Sequence, residues 1–122
     1  MFEFFKSNNH KDGEKSLIRI DFDTKEQWPD LIELSHKQAV YIFKHSSRCG
    51  ISSMVLSRFE KQIKEREETY FHLHIQDYRS LSNWLADEIG IRHESPQLIV
   101  LKDGKVLAHD SHYAALEVLS NL

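Results

Sequence analysis

The chain contains one cysteine, Cys49, among 122 residues. A single cysteine excludes an intramolecular disulfide, a Cys-X-X-Cys redox pair and a four-cysteine zinc site. Any disulfide chemistry of this chain must therefore involve the sulfur of a second molecule.

The sequence also lacks an excess of positive charge, a long apolar run and any internal repeat. Lys and Arg number 16 against 19 Asp and Glu, a formal net charge of −3, which argues against a nucleic-acid or anionic-membrane binder. No run approaches the roughly 20 apolar residues of a membrane span. Residues 1–10 become polar too soon for a signal-peptide core. We therefore expect a cytoplasmic protein without membrane partners, in which a lone thiol stays reduced.

The residues that are present suffice for one folded domain. Hydrophobic residues make up 40% of the chain, which supports a packed core. A polar stretch at residues 8–14 indicates that residues 1–14 form an N-terminal extension and residues 15–122 a single domain.

Strand-like and helix-like patterns alternate along this domain. Thr24 and Gln27 form a capping-box pattern before the first helix, Gly90 ends the third, and residues 102–105 have the composition of a hairpin turn. The predicted strands are 17–20, 39–43, 70–75, 98–101 and 106–108, and the predicted helices start after Thr24, at Gly50, at a Ser80 or Ser82 cap, and at Tyr113. This order predicts an α/β thioredoxin-like fold, whose central mixed sheet has a parallel part and a C-terminal hairpin and is flanked by helices.

Cys49 lies where the predicted buried strand ends and the next helix begins. Ligands of open α/β sheets gather at such strand ends, and a helix N-terminus favours thiolate over thiol. Arg48, Lys44 and His45 add nearby positive charge. A readily ionised cysteine also leaves easily from a mixed disulfide, which favours reversible exchange. The simpler alternative is a small buried apolar residue.

The Ser95-Pro96 pair just before the fourth strand is the second marker. A cis peptide bond there would place the proline beside the Cys49 turn, with the Ser95 backbone free to pair with a peptide-like or thiol ligand. An ordinary trans proline at the start of a strand is the alternative.

His72 and His74 share one face of the third strand, as a two-residue metal motif requires. No third ligand is identifiable, so the pattern predicts hydrogen-bonded or solvated histidines and no metal site.

Two segments carry a family resemblance. Residues 44–52, Lys-His-Ser-Ser-Arg-Cys-Gly-Ile-Ser, together with residues 93–97, His-Glu-Ser-Pro-Gln, resemble the monothiol bacilliredoxin family, the YtxJ-like group of thioredoxin-fold proteins linked to bacillithiol. The resemblance extends from about Ile20 to the last helix. Gly50 departs from it, because family members commonly have proline directly after the cysteine.

The resemblance implies a role for each matching residue. Cys49 would be the nucleophile, Pro96 the cis-proline of the fold, and Ser52 the residue in the position of a resolving cysteine. The residues expected to stabilise the thiolate are Arg48, Gly50 and Ser52, and those expected to bind substrate are Lys44, His45, Ser95 and Pro96.

The implied activity is removal of bacillithiol, or a similar small thiol, from protein mixed disulfides. Bacillithiol would be a co-substrate rather than a tightly bound cofactor, and bacillithiolated proteins would be the partners. Residues 49–52, Cys-Gly-Ile-Ser, are also similar to the Cys-Gly-Phe-Ser motif of monothiol glutaredoxins that carry a [2Fe–2S] cluster, although no Gly-Gly-Asp follows Pro96. A redox-inert thioredoxin-like interaction module is the third possibility.

Overall fold

A computed structural model describes residues 18–122, so the expected extension at residues 1–14 lies outside the described residues. The strands are β1 (Arg19–Asp21), β2 (Val40–His45), β3 (Tyr70–His74), β4 (Gln97–Lys102) and β5 (Lys105–Ser111). The α-helices are α1 (Trp28–Ser35), α2 (Gly50–Glu65) and α3 (Arg79–Ile89), and short 3-10 helices span Lys25–Gln27, His112–Glu117 and Leu119–Asn121. No helix within this part of the chain is long and apolar enough to cross a bilayer.

The strands form one mixed sheet in the order β1-β3-β2-β4-β5. β1 and β2 both run parallel to β3, whereas β4 is antiparallel to β2 and to β5. This arrangement confirms the predicted parallel part and C-terminal hairpin. The carboxyl ends of β2 and β3 consequently lie side by side, which determines where the site forms.

The central strands β2, β3 and β4 are buried on both faces, as the nearly continuous apolar run of β2 predicts. Alternate residues of β2 enter two separate cores: Val40 and Ile42 face α1 and α3, and Tyr41 and Phe43 face α2 and the C-terminal segment. All six residues of β2 are buried. The two helix layers therefore enclose the strand that leads to Cys49.

Local signals in the sequence account for several element ends. The Thr24–Gln27 capping box is present, on the 3-10 turn that leads into α1. Gly90 ends α3 in a left-handed conformation (φ 73°). Asp103 and Gly104 also have positive φ, as the two central residues of a type I′ hairpin turn require.

Two local predictions were wrong, and the bounds of the first strand differ from those predicted. α3 begins after Tyr78 with no side-chain cap, and Ser82 is instead buried inside the helix. The last segment forms two short 3-10 helices rather than one α-helix. The first strand starts at Arg19, where pairing with β3 begins, and Leu17 lies outside the described residues.

Candidate active site around Cys49

Cys49 is the N-cap residue of α2 and is partly exposed. Its backbone is extended (φ −112°, ψ 118°), and its side chain makes no capping hydrogen bond. The first turn of α2 contains no acidic residue, and the N–H of Gly50 donates no hydrogen bond within residues 18–122. The helix dipole and the free N–H groups at this end place positive potential beside the Cys49 side chain.

The loop that presents Cys49 is held from inside by Ser52. This side chain is fully buried, and its Oγ accepts a hydrogen bond from the Ser46 N–H at 3.0 Å. Its Oγ also lies 2.8 Å from His45 Nδ1. Ser52 forms no hydrogen bond with the Cys49 thiol, so the expectation that its hydroxyl stabilises the thiolate directly is corrected.

The same loop is held from outside by two residues at the end of β3. Gln76 accepts a hydrogen bond from the Ser47 N–H at 3.0 Å and donates one to Ser46 Oγ at 2.7 Å. His74 Nε2 lies 3.1 Å from Ser47 Oγ, and its Nδ1 lies 2.8 Å from a carboxylate oxygen of Asp77. Sequence reasoning missed Gln76, because no local pattern links residues about thirty positions apart. Only the parallel pairing of β2 and β3 brings them together.

The basic residues near Cys49 divide into exposed and buried ones. Arg48 is exposed, and its guanidinium forms no hydrogen bond or ion pair within the described residues. Lys44 is fully buried and His45 is 9% exposed. Because the Lys44 side chain is fully buried, this structure does not support its predicted contact with substrate, whereas the predicted contact of His45, whose ring lines a polar cavity, stays a prediction. Strand periodicity directs both side chains inward, to opposite faces of the sheet.

Lys44 lies on the face covered by α3. Its ammonium donates a hydrogen bond to the Ser82 carbonyl at 3.3 Å, and burial, together with the Arg79 charge, lowers the pKa of Lys44 to about 8. Ser82 Oγ in turn lies 2.8 Å from His93 Nδ1. Burial also lowers the pKa of His93, and the positive charges of Lys44 and Arg79 add to that effect. A partly buried polar cluster thus connects α3 to the loop before Pro96.

The Ser95–Pro96 peptide bond is cis, as the resemblance implies. Gln97, the next residue, pairs with Lys44 of β2, so Pro96 lies beside the strand end from which the Cys49 loop departs. The Pro96 carbonyl accepts a hydrogen bond from the His112 N–H at 2.8 Å. The backbone N–H and C=O of Ser95 form no hydrogen bond within residues 18–122, and this residue is partly exposed.

Within residues 18–122, no third metal ligand accompanies His72 and His74. Within the described part of the chain, no group of three or more His, Cys, Asp or Glu side chains is placed to hold a metal ion. His74 is hydrogen-bonded, whereas His72 is buried and its Nε2 has no partner there.

Comparison with known families matches this geometry. The model of a family described as monothiol bacilliredoxin BrxC matches residues 20–117. The chain belongs to the monothiol bacilliredoxin family. The matched region contains every element from β2 to β5, with both Cys49 and Pro96.

Solved structures agree on the fold. A protein described as a proposed oxidoreductase with a thioredoxin fold is 28% identical, with a TM-score of 0.78 over 85% of this chain and 92% of that one. Thioredoxin from Trypanosoma brucei brucei is 15% identical, with a TM-score of 0.70 and 88% of each chain covered. Malassezia sympodialis thioredoxin is 15% identical, with a TM-score of 0.66 over 88% of this chain and 89% of that one. These two thioredoxins show the fold alone, which is thioredoxin-like.

Proposed function

We propose that this bacilliredoxin-family protein removes bacillithiol from protein mixed disulfides, using Cys49 as its single reacting thiol. The observation that carries the proposal is the position of Cys49, partly exposed at the start of α2 with no side-chain hydrogen bond within residues 18–122. A thiol placed there is accessible to a second molecule and lies in the positive field of the helix end.

The reaction is a pair of thiol–disulfide exchanges. The Cys49 thiolate attacks the bacillithiol sulfur of the mixed disulfide, the client sulfur leaves as a thiolate and takes a proton, and bacillithiol stays bound to Cys49 as a new disulfide. A thiolate of a second molecule, bacillithiol or another redoxin, then attacks the bacillithiol sulfur. That step releases Cys49 as a thiolate and the two other sulfurs as a disulfide, so no net oxidant or reductant beyond this second thiol is needed.

Other parts of the site have supporting roles in this proposal. The unpaired N–H and C=O of Ser95 offer backbone hydrogen bonds to an extended ligand next to Pro96. Arg48, being exposed, adds positive charge near the thiolate and the incoming ligand. Ser52 has no thiol, so the enzyme cannot resolve its own mixed disulfide and depends on the second thiol.

The test is intact-mass analysis after reduced protein is mixed with a bacillithiolated client, beside a Cys49→Ser control. We expect the wild type to gain one bacillithiol while the client is released, and the variant to gain none. If the wild type gains nothing while its thiol still reacts with iodoacetamide, the proposal is wrong. Brown anaerobically purified protein would then favour a cluster carrier, and colourless protein an interaction module.

A further inference from the structure

Three imidazoles lie together beneath α2. The ring centroid of His45 is 5.5 Å from that of His72 and 5.9 Å from that of His74. The three rings line a polar cavity of about 440 Å³ together with Arg19 and Asp21 of β1. His45 is the ring of this group that bonds to the helix carrying Cys49.

The hydrogen bonds at Ser52 assign a direction to the His45 contact. Ser52 Oγ already accepts the Ser46 N–H, and the side chain is fully buried, so its hydroxyl proton needs an acceptor inside the protein. His45 Nδ1, at 2.8 Å, is the partner available to it. The neutral His45 ring then carries its proton on Nε2 and accepts the hydroxyl proton at Nδ1. In this arrangement the Ser46 N–H, the Ser52 hydroxyl and His45 Nδ1 each have a hydrogen-bond partner.

The surroundings keep His45 neutral. Burial lowers its pKa, and the positive charges of His74 and Arg19 act in the same direction, while the Glu60 carboxylate of α2 opposes them. His72 also packs against the ring, and burial lowers the pKa of His72 to about 4, so that neighbour is neutral at pH 7 as well. Asp21 and Asp77 are the other charged groups of the cavity.

We propose that His45 is a positioning residue for the Cys49 reaction. By accepting the hydroxyl proton of Ser52 it holds Ser52 Oγ toward the Ser46 N–H, and this bond fixes the loop that presents Cys49 at the start of α2. In this role His45 acts only through Ser52. The inference rests on the proposed role of Cys49 as the reacting thiol. It also assigns a role to Ser52, the serine in the position of a resolving cysteine.

The test measures the rate of Cys49 alkylation by iodoacetamide at pH 7, together with bacillithiol transfer. The variants are His45→Phe, which keeps a ring but lacks the acceptor, Ser52→Ala, their double variant, and His45→Asn, whose side-chain oxygen replaces Nδ1. Exposed His109 on β5 supplies the matched control, His109→Phe. Circular dichroism and thermal unfolding establish that each variant is folded.

We expect His45→Phe and Ser52→Ala each to slow both reactions about tenfold, the factor typical of losing one buried hydrogen bond. The double variant should be no slower than either single one, because the two residues act through one bond. His45→Asn should stay within about threefold of the wild type, a rescue that loss of ring packing alone would not give.

Three results would overturn the inference: wild-type rates in His45→Phe, about hundredfold slowing in the double variant, or His45→Asn as slow as His45→Phe. Alkylation separates this inference from the proposed function, because it needs no bacillithiol. A wild type that accepts no bacillithiol but shows the expected alkylation pattern contradicts only the proposed function. Normal transfer by every His45 variant contradicts only the positioning role.

Discussion

Gly50 is the single residue at which the site departs most clearly from the family pattern, and the structure has room for a Cβ atom there. A Cβ atom on Gly50 would meet nothing within 4 Å, and the N–H of this residue donates no hydrogen bond within residues 18–122. The preceding residue, Cys49, has the extended backbone that proline requires of its neighbour. Glycine at this position loses more conformational entropy on folding than another residue would, and the contacts of the described residues give no steric reason for it.

We expect Gly50→Pro to raise the free energy of unfolding by about 0.5–1 kcal/mol, because it restricts the unfolded chain at a position where its fixed φ suits the first helical residue. Urea denaturation of both proteins measures the difference. Gly50→Ala is the matched control, since it restricts the chain less and keeps the N–H. A proline variant less stable than the wild type would show that this N–H has a structural role.

At the scale of elements, the β4–β5 hairpin is attached to the end of α1 by its turn. The Gly104 N–H donates to Ser35 Oγ at 2.8 Å, and the Asp103 N–H donates to the Ser35 carbonyl at the same distance. Gly104 has φ +77°, and a Cβ atom there would lie 3.3 Å from Cε1 of His36. Both backbone conformation and a close neighbour thus favour glycine at this turn.

Comparing Gly90 with Gly104, which both have positive φ, separates the cost of backbone strain from the cost of the His36 contact. Gly90→Ala, at φ +73° with nothing near its Cβ, should lower the free energy of unfolding by about 1 kcal/mol through backbone strain alone. Gly104→Ala should lower it by about 1.5–2 kcal/mol, because the His36 ring must also shift. Chemical denaturation gives both values. Combining Gly104→Ala with His36→Ala should remove the additional loss of stability at Gly104. Equal losses of stability in Gly90→Ala and Gly104→Ala would exclude a role for the His36 contact.

At the scale of the whole molecule, buried neutral histidines make stability depend on pH. Burial lowers the pKa of His72 to about 4, and it also lowers the pKa values of His45 and His93. In the unfolded chain these groups titrate near the ordinary value of about 6.5. Between roughly pH 6.5 and pH 4 the unfolded state therefore binds more protons than the folded state, so stability falls as the pH falls.

We expect His72 alone to account for a loss of about 3 kcal/mol in the free energy of unfolding between pH 7 and pH 4. His72→Phe should flatten this dependence, and at pH 7 it should be tolerated because the buried Nε2 has no partner within residues 18–122. Urea denaturation of the wild type and of His72→Phe at pH 7, 5.5 and 4.5 measures how the free energy of unfolding depends on pH. An unchanged pH slope in His72→Phe, identical to that of His109→Phe, would contradict the expectation.

Much of the fold follows from the chain, because each segment carries its own signal. The continuous apolar run of β2 predicts a strand buried on both faces, and the Asp103-Gly104 pair predicts the hairpin. The start of α3 was predicted wrongly at Ser80 or Ser82, because serine is a common N-cap residue. Tertiary packing instead places Ser82 against His93. The prediction that Lys44 binds substrate fails for a similar reason. Its charge suggests an exposed side chain, whereas the alternation of β2 directs it inward.

The sequence by itself determined the element order, the single cysteine at a helix start and the resemblance to bacilliredoxins, because these depend on residue type and local spacing. Only the tertiary structure decided how the Cys49 loop is held. His45, Ser52 and Gln76 meet there because parallel pairing aligns the ends of β2 and β3 and α2 packs back over them. Hydrogen bonds between residues about thirty positions apart depend on that pairing, and no local pattern records it.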